Sequence, residues 1–473
     1  MTVHPLEFLF HPRSVAVVGA SRNPSSQGHK FIRDYQDFGF KGIIYPVNPR
    51  EQEVSGLPCY PSLLDVPGPV DFVISAVPAP LVPQLARDCV AKGVKCLHLF
   101  TARLRESGLP ERIAMEEELV RTAKSGGMRV IGPNCMGIYN PREGMSFRYN
   151  FPKEPGKVAF FSQSGGNTAE LVHKGVGRGL RFSKVVSYGN ACDLNEADFL
   201  EYSAHDPETE VIAAYIEGVR EGRRFFAALR EAALRKPVVV LKGGRSTSGN
   251  RAAMSHTASL AGSAAIWSTV FHQAGAVRAR SMEDLADLAL AFQWLPPLTA
   301  RRLAVMGGGG GNSVQAADLI EDAGLVIPPL PQEIREQLRE KAPEVWSLIS
   351  NPVDSSVMGG PTAFGLTCQL LAHHPVVDWL FGNAAAEWGL EEQHGVPSFL
   401  KGIQELIRLS QDCGKPLVVA SGATDNYETW KREAIVEGQR ICAEAHVPFY
   451  PSLERAAGTL SCVIGYYDWR STQ

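Results

Sequence analysis

His256 lies in the stretch AAMSHTASLAG (residues 252–262), among small residues that offer nothing to bury an imidazole. Three kinds of work are open to it: a satisfied structural side chain, a general base, or a nucleophile that carries a covalent group. The third needs a neutral ring near pH 7, a mount built of small residues, stabilisation for an oxyanion, and a carboxylate on the other ring nitrogen. The same section of chain contains each of these. FFSQSGGN (160–167) joins a strand to a helix. Its Ser162, Ser164, Gly165 and Gly166 offer hydroxyls and unobstructed N–H groups at the positive end of a helix dipole, which suits a dianionic phosphoryl group. AYIEGVREGRRF places Glu217 at the end of a strand, open to whatever lies over the sheet. KPVVVLKGGRSTSGNRAAMSHTASLAG then runs from a strand into a long Gly-, Ser- and Ala-rich loop with His256 near its end, before the helical pattern SAAIWSTVFHQAG. The other histidines, His98, His373 and His374 among them, lack an anion site and a strand-end carboxylate in the same section and read as structural or solvated.

A second anion site is written near the start. VVGASRNPSSQGHK follows a strand and opens a helix, where free N–H groups converge. It is not the three-glycine dinucleotide fingerprint: Gly19 is followed by Ala20, Ser21 and Arg22, and the next glycine is Gly28. The next strand ends in YPVNPRE, with Asn48 and Pro49 where an acidic residue would hold an NAD ribose. A nicotinamide oxidoreductase is thereby disfavoured.

Elements that could position these residues follow from the apolar pattern. Three stretches, SVAVVGAS, KVAFFSQSGG and RLAVMGGGGGNS, run from a β-rich segment into small residues and then a helical pattern. They begin about 145 residues apart, a common domain size. Proline-bearing connectors, FPKEPGK and LPPLTARR, precede the later two. Between them, runs such as VDFVISAVP, VKCLHLF, EVIAAYIEG and KPLVVASG are apolar throughout, as strands covered on both faces should be. The expectation is an α/β chain of three domains with mainly parallel sheets, at residues 1–149, 150–298 and 299–473. Ligands then sit beyond the carboxyl ends of the strands.

Composition excludes other classes. A net charge of −3 leaves no electrostatic footprint for nucleic acid or an anionic membrane. No apolar run approaches the roughly twenty residues of a membrane span, and the N-terminus has no signal-peptide pattern. Nine cysteines without a CxxC pair indicate neither a zinc site nor a disulfide framework. The expectation is a cytoplasmic protein with reduced thiols.

VVGAS, YPVNP, VPAP (77–80) and IGPNCMG (131–137), in this order, resemble the CoA-binding domain of the succinyl-CoA synthetase superfamily. SQSG, YIEG and SHTASLAG resemble its phosphohistidine domain. The likeness is to the α subunits of ADP-forming acetyl-CoA synthetases, and it runs over about residues 5–465. The resemblance implies a Rossmann-like CoA-binding domain followed by two flavodoxin-like domains. It implies CoA contacts at Gly19, Ser21, Arg22, Gln27 and Asn48, with Val77 and Pro78 flanking the nucleotide end and Asn134 at the thiol end. It makes His256 the phosphorylated residue and Glu217 its hydrogen-bond partner, with Ser162, Ser164 and Gly165 at the phosphate. The chain departs from the family at FTARLRESG: Arg103 and Leu104 stand where a glycine and an aromatic precede a glutamate. The identity of the acid is left open by that loop.

The third section, VMGGGGGNSVQAADLIEDAGL, lacks the GK[ST] ending of a P-loop. Its glycines read as close helix–strand packing, and Asn351 and Asp354 of NPVD as turn organisers. The family's ATP-grasp domain has no counterpart among these sections. The expectation is therefore an α subunit that meets ATP/ADP and Mg²⁺ through an ATP-grasp β subunit, in a heterotetramer, with a small carboxylic acid as substrate, no metal site of its own, and no nucleic-acid or membrane partner. The implied reaction is acid + CoA + ATP ⇌ acyl-CoA + ADP + phosphate, by way of phosphohistidine and an acyl phosphate. The alternative is a regulatory protein that binds CoA or acyl-CoA without ligase activity.

Overall fold

The computed structural model describes residues 4–249, 264–356, 360–384, 391–421 and 428–473. The chain divides into two units, Met1–Val176 with Leu180–Leu285, and Gly177–Gly179 with Ala286–Gln473.

In the first unit, the apolar runs become strands. These are β1 (Ser14–Val18), β2 (Ile43–Val47), the short antiparallel pair β3 (Glu53–Val54) and β4 (Leu57–Pro58), β5 (Phe72–Ser75), β6 (Cys96–Leu99) and β7 (Arg129–Ile131). Of these, β5 and β6 are buried along their whole length. The first sheet has the order β2-β1-β5-β6-β7, every neighbour parallel. Ala16, Val73, Leu97 and Val130 line its core, and burial of such side chains is the main stabilising contribution. The helix Gln27–Phe38 puts Phe31, Ile32, Tyr35 and Phe38 against the sheet side. Ser26 starts it, its Oγ accepting the His29 N–H at 3.2 Å, and a left-handed Gly39 ends it.

The second sheet of this unit contains β8 (Gly137–Tyr139), β9 (Val158–Ser162), β10 (Phe182–Ser187), β11 (Val211–Ile216), β12 (Val238–Lys242) and β13 (Val277–Ala279). Its order is β13-β12-β11-β9-β10-β8, parallel except for β8, which runs antiparallel to β10. The edge strand β8 comes from the sequence ahead of residue 150, so the chain enters this sheet before the FPKEPGK connector.

The second unit carries a parallel sheet of β14 (Leu303–Gly307), β15 (Trp379–Asn383), β16 (Leu417–Ala420) and β17 (Phe449–Tyr450), in that order. Asn351 fastens β14. Its Oδ1 accepts from Val305 N at 3.0 Å, and its Nδ2 donates to Leu303 O and Pro328 O, both at 2.9 Å. Asp354 Oδ1 accepts from Ser356 N and Oγ at 2.7 Å, closing a turn. Gly307 passes so near β15 that a Cβ there would lie 2.3 Å from Asn383 O.

Asp287 is a keystone of the second unit. Its carboxylate, 1% exposed, pairs with Arg178 at 2.5 Å and accepts from Arg455 Nε at 2.6 Å. Asp287→Ala leaves two guanidinium groups without their buried counter-charge. The expected loss is about 3–5 kcal/mol, read as a lower urea midpoint for the second unit's transition. No helix among the described residues is long and apolar enough to cross a membrane.

Candidate active site

At the carboxyl end of β1 the chain turns sharply. Gly19 has φ +93°, its N–H donates to Val47 O at 3.0 Å, and a Cβ would lie 2.7 Å from Ala76 O. Only glycine fits both the backbone angle and that approach. Asn48 locks the turn from the end of β2: its Nδ2 donates to Ala20 O at 2.6 Å and its Oδ1 accepts from Arg50 N at 2.9 Å. The carboxamide is thus engaged within the protein, and Asn48 shapes the loop. Ser21 Oγ accepts from Asn23 N at 3.1 Å, and the His29 ring donates from Nδ1 to Ser21 O at 3.0 Å. Gln27 is the first residue of the following helix. Arg22 is exposed and pairs with Glu51, Nε to Oε2 at 2.5 Å; this hydrogen bond holds the Glu51 carboxyl below its usual range. An exposed pair of this kind is weak enough for a phosphate to displace.

Val77 and Pro78 follow β5, beside the Gly19 turn: the Val77 side chain would lie 3.3 Å from a Cβ at Gly19. Thr101 Oγ1 donates to Val77 O at 2.8 Å. Asn134, with φ +60°, donates its N–H to Thr101 O at 3.0 Å. Gly19, Val77 and Asn134 therefore sit at the carboxyl ends of β1, β5 and β7 in one sheet, and Thr101, which follows β6, links Val77 to Asn134. Gly19→Val is expected to destabilise the first unit by about 1–3 kcal/mol and to weaken CoA binding at least tenfold, measured by titration calorimetry on the chain alone. Arg103 is exposed with φ +67°, its N–H donated to Glu106 Oε1 at 2.6 Å, and Leu104 is buried.

The Asn134 loop reaches the second sheet. Asn190 N donates to Pro133 O at 3.0 Å, Cys192 N to Gly132 O at 2.9 Å, and Met136 N to Ser187 Oγ at 3.1 Å. Gly165 lies against the same loop, for a Cβ there would stand 2.7 Å from Met136 Cγ. In the turn itself, buried Ser162 Oγ donates to Ser164 O at 2.8 Å and accepts from Ser164 N at 3.1 Å. Its hydroxyl shapes the turn from within. Ser164 Oγ accepts from Asn167 N at 3.3 Å and so caps the helix Gly165–Val176.

Glu217 follows β11 and is 6% exposed. Its N–H donates to Gln163 Oε1, which also accepts from Gly218 N at 3.0 Å, while Gln163 Nε2 donates to Gly218 O at 3.1 Å. On the other side Lys242 Nζ donates to Glu217 O at 2.6 Å. The Tyr215 hydroxyl hydrogen-bonds the Glu217 carboxylate; burial first, then that negative charge, pushes the phenol up to about 12. Burial pulls Lys242 down to about 8, with the charge of Glu217 acting in the opposite direction. His256 lies outside the described residues.

Sequence reasoning passed over Gln163, Tyr215 and Lys242. Signals existed for two of them. Tyr215 stands two residues before Glu217, on the same side of an alternating strand, and Lys242 is a lone charge ending the apolar run VVVL.

Residues 13–141 match the family described as CoA binding domain, and residues 155–292 the succinyl-CoA ligase like flavodoxin domain. The chain is 40% identical to the acetate–CoA ligase [ADP-forming] II subunit alpha of Pyrococcus furiosus, over 92% of this chain and 93% of that one. It is 40% identical to acetate–CoA ligase [ADP-forming] I of Archaeoglobus fulgidus, over 98% of this chain but 64% of that longer one. The solved structure of dinucleotide-forming acetyl-coenzyme A synthetase 1 from Ca. Korarchaeum cryptofilum, in complex with phosphate and ADP, superposes with a TM-score of 0.85 at 34% identity, over 98% of this chain and 97% of that chain. This chain accordingly belongs to the family of ADP-forming acetate–CoA ligase alpha subunits.

Proposed function

We propose that this chain is the α subunit of an NDP-forming acid–CoA ligase, catalysing acid + CoA + ATP ⇌ acyl-CoA + ADP + phosphate. The observation that carries the reading is the seating of the Asn134–Met136 loop, from the first sheet, directly on the Gly165 turn of the second. A thiol held at Asn134 and a phosphoryl group held at the helix Gly165–Val176 would then be near neighbours. Gly19, Ser21, Arg22, Gln27, Val77 and Pro78 would hold the nucleotide part of CoA, on a loop that Asn48 shapes. Gly165 would present its N–H to phosphate at a helix start, beside Ser164.

In the direction of synthesis, His256 attacks the γ-phosphorus of ATP, an N–P bond forms and ADP leaves. A carboxylate oxygen of the acid then attacks phosphorus, the N–P bond breaks, and an acyl phosphate results. The CoA thiolate attacks the acyl carbon, forming the thioester and releasing phosphate. A covalent carrier divides one difficult transfer into easier ones, and Glu217 would fix the imidazole tautomer. An ATP-grasp partner, bringing ATP and Mg²⁺, is supported by the Pyrococcus relative being itself a subunit alpha and by the greater length of the Archaeoglobus relative. The compartment we assign is the cytoplasm, and the domain limits we assign lie near residues 150 and 299, with β8 reaching across the first of them to pair with β10.

The test is co-expression with a neighbouring ATP-grasp subunit, addition of ATP and Mg²⁺, and mass spectrometry at neutral to alkaline pH. An acid-labile phosphate on the peptide containing His256, discharged by CoA plus acid, is the expected result. No phosphate, with a partner that binds ATP, would leave only a CoA-binding protein.

A further inference from the structure

We propose that Lys242 is a positioning residue for phosphoryl transfer: it clamps the backbone of Glu217 and ties the end of β12 to the helix Ala264–Ala274. The proposal rests on the ligase reading above. β11 and β12 are parallel neighbours with Ile216 opposite Lys242, so Glu217 and Lys242 emerge side by side at the carboxyl edge of the sheet. A strand-end residue has lost its ladder partners, and its side chain points where its two peptide groups are held. Glu217 is held on both sides by side chains: its N–H by Gln163 from the end of β9, and its carbonyl by Lys242 from the end of β12. The same ammonium also donates to Gly243 O.

Lys242 makes one more contact. Its Nζ lies 5.1 Å from the ring centre of Trp267, in the helix Ala264–Ala274. In sequence, Lys242 stands immediately before, and Trp267 just after, the segment that contains His256. The cation–π contact therefore joins the end of β12 to the helix Ala264–Ala274, at the point where Glu217 is clamped.

Lys242 is 2% exposed. Burying an ammonium is costly when a neutral group could donate to the same two carbonyls. A charge at this position is therefore expected to act on something, and the adjacent anion is Glu217. The charge that acts on Nζ is that of Glu217; Arg245 and Arg278 line the same small pocket as Lys242 and Trp267. Burial sets its titration near pH 8. Its clamp and its cation–π contact weaken as pH rises through that value.

The experiment uses the complex with the ATP-grasp partner, with ATP and Mg²⁺ as the phosphoryl donor. Phosphohistidine formation is followed from pH 6.5 to 9.5, and CoA binding is measured on the same preparations. Wild type is expected to lose rate as pH rises through about 8. Lys242→Met is expected to bind CoA as wild type does, to form phosphohistidine at least about tenfold more slowly, and to lack the alkaline fall. Lys242→Arg, still charged at every pH tested, should recover part of the rate without that fall. A merely structural role would lower the yield of folded protein and leave the pH profile of the remainder unchanged. If Lys242→Met does not fold, Lys242→Gln keeps an amide donor on a slightly shorter side chain and loses the charge. Either neutral variant, folded and with the wild-type rate and profile, overturns the proposal. A wild-type complex that forms no phosphohistidine overturns the ligase reading itself, and the role of Lys242 with it.

Discussion

His256→Ala is expected to abolish the acid-labile phosphate and to lower acyl-CoA synthesis by on the order of a thousandfold or more. The size follows from the kind of step removed. If a phosphoryl group must travel from a nucleotide on one subunit to an acid and a thiol on another, the carrier is an obligatory intermediate, and nothing else in SHTASLAG is a nucleophile of comparable strength. Ser255, Thr257 and Ser259 are neighbours, but an unactivated hydroxyl is a poor nucleophile near pH 7. CoA affinity should not change, because the Gly19 turn and the Val77 segment belong to another sheet and are held by their own contacts, Gly19 N to Val47 O and Thr101 Oγ1 to Val77 O. Acyl-CoA formation is read as hydroxamate from the thioester, and CoA binding by calorimetry on the same sample. Substantial residual synthesis by a folded, CoA-binding His256→Ala complex would mean direct transfer from ATP to the acid, and the carrier mechanism would have to be given up.

The parts of this arrangement that were legible in the sequence are those set by local rules. Strands buried on both faces must be apolar at successive positions, so VDFVIS and VVVLK declared themselves as β5 and β12. A strand that turns at once into a helix needs small residues, so Gly19 and Gly165 marked two strand-to-helix turns. What could not be read depends on which strands become neighbours. β8 is three residues long and follows a loop; nothing in GIY announces an antiparallel partner at Val185–Ser187. Gln163 and Lys242 hold Glu217 only because β9 and β12 flank β11, a strand order that no local pattern encodes. The sequence pattern presents Ser162 as a phosphate contact, and in the structure its hydroxyl bonds within its own turn. A serine that caps a turn and a serine that binds an anion look identical in a one-dimensional pattern, since both precede a helix.

Glu217→Gln is the second large effect. The amide is nearly the same size as the carboxylate, so the two backbone anchors, to Gln163 and to Lys242, have no reason to break, and Tyr215 can still donate to the amide oxygen. The negative charge alone is lost. An imidazole that attacks phosphorus becomes cationic as the N–P bond forms, and a carboxylate on its second nitrogen both selects the reactive tautomer and stabilises that charge. An amide can present its N–H₂ to the ring nitrogen instead and hold the wrong tautomer, as happens when the acid of a catalytic triad is replaced by its amide. Phosphohistidine formation is therefore expected to slow by about a hundredfold or more, with CoA binding unchanged. Lys242 would then sit beside a neutral group, and because Glu217 is the charge that raises its proton affinity, the alkaline limb of the residual activity should move to lower pH. Glu217→Asp separates charge from reach: it keeps the carboxylate but withdraws it by one methylene. Its expected loss is intermediate, with the alkaline limb close to that of wild type. If Glu217→Gln transfers phosphoryl at the wild-type rate, the imidazole must be oriented by another group, and the clamp at the end of β11 would lose its catalytic meaning.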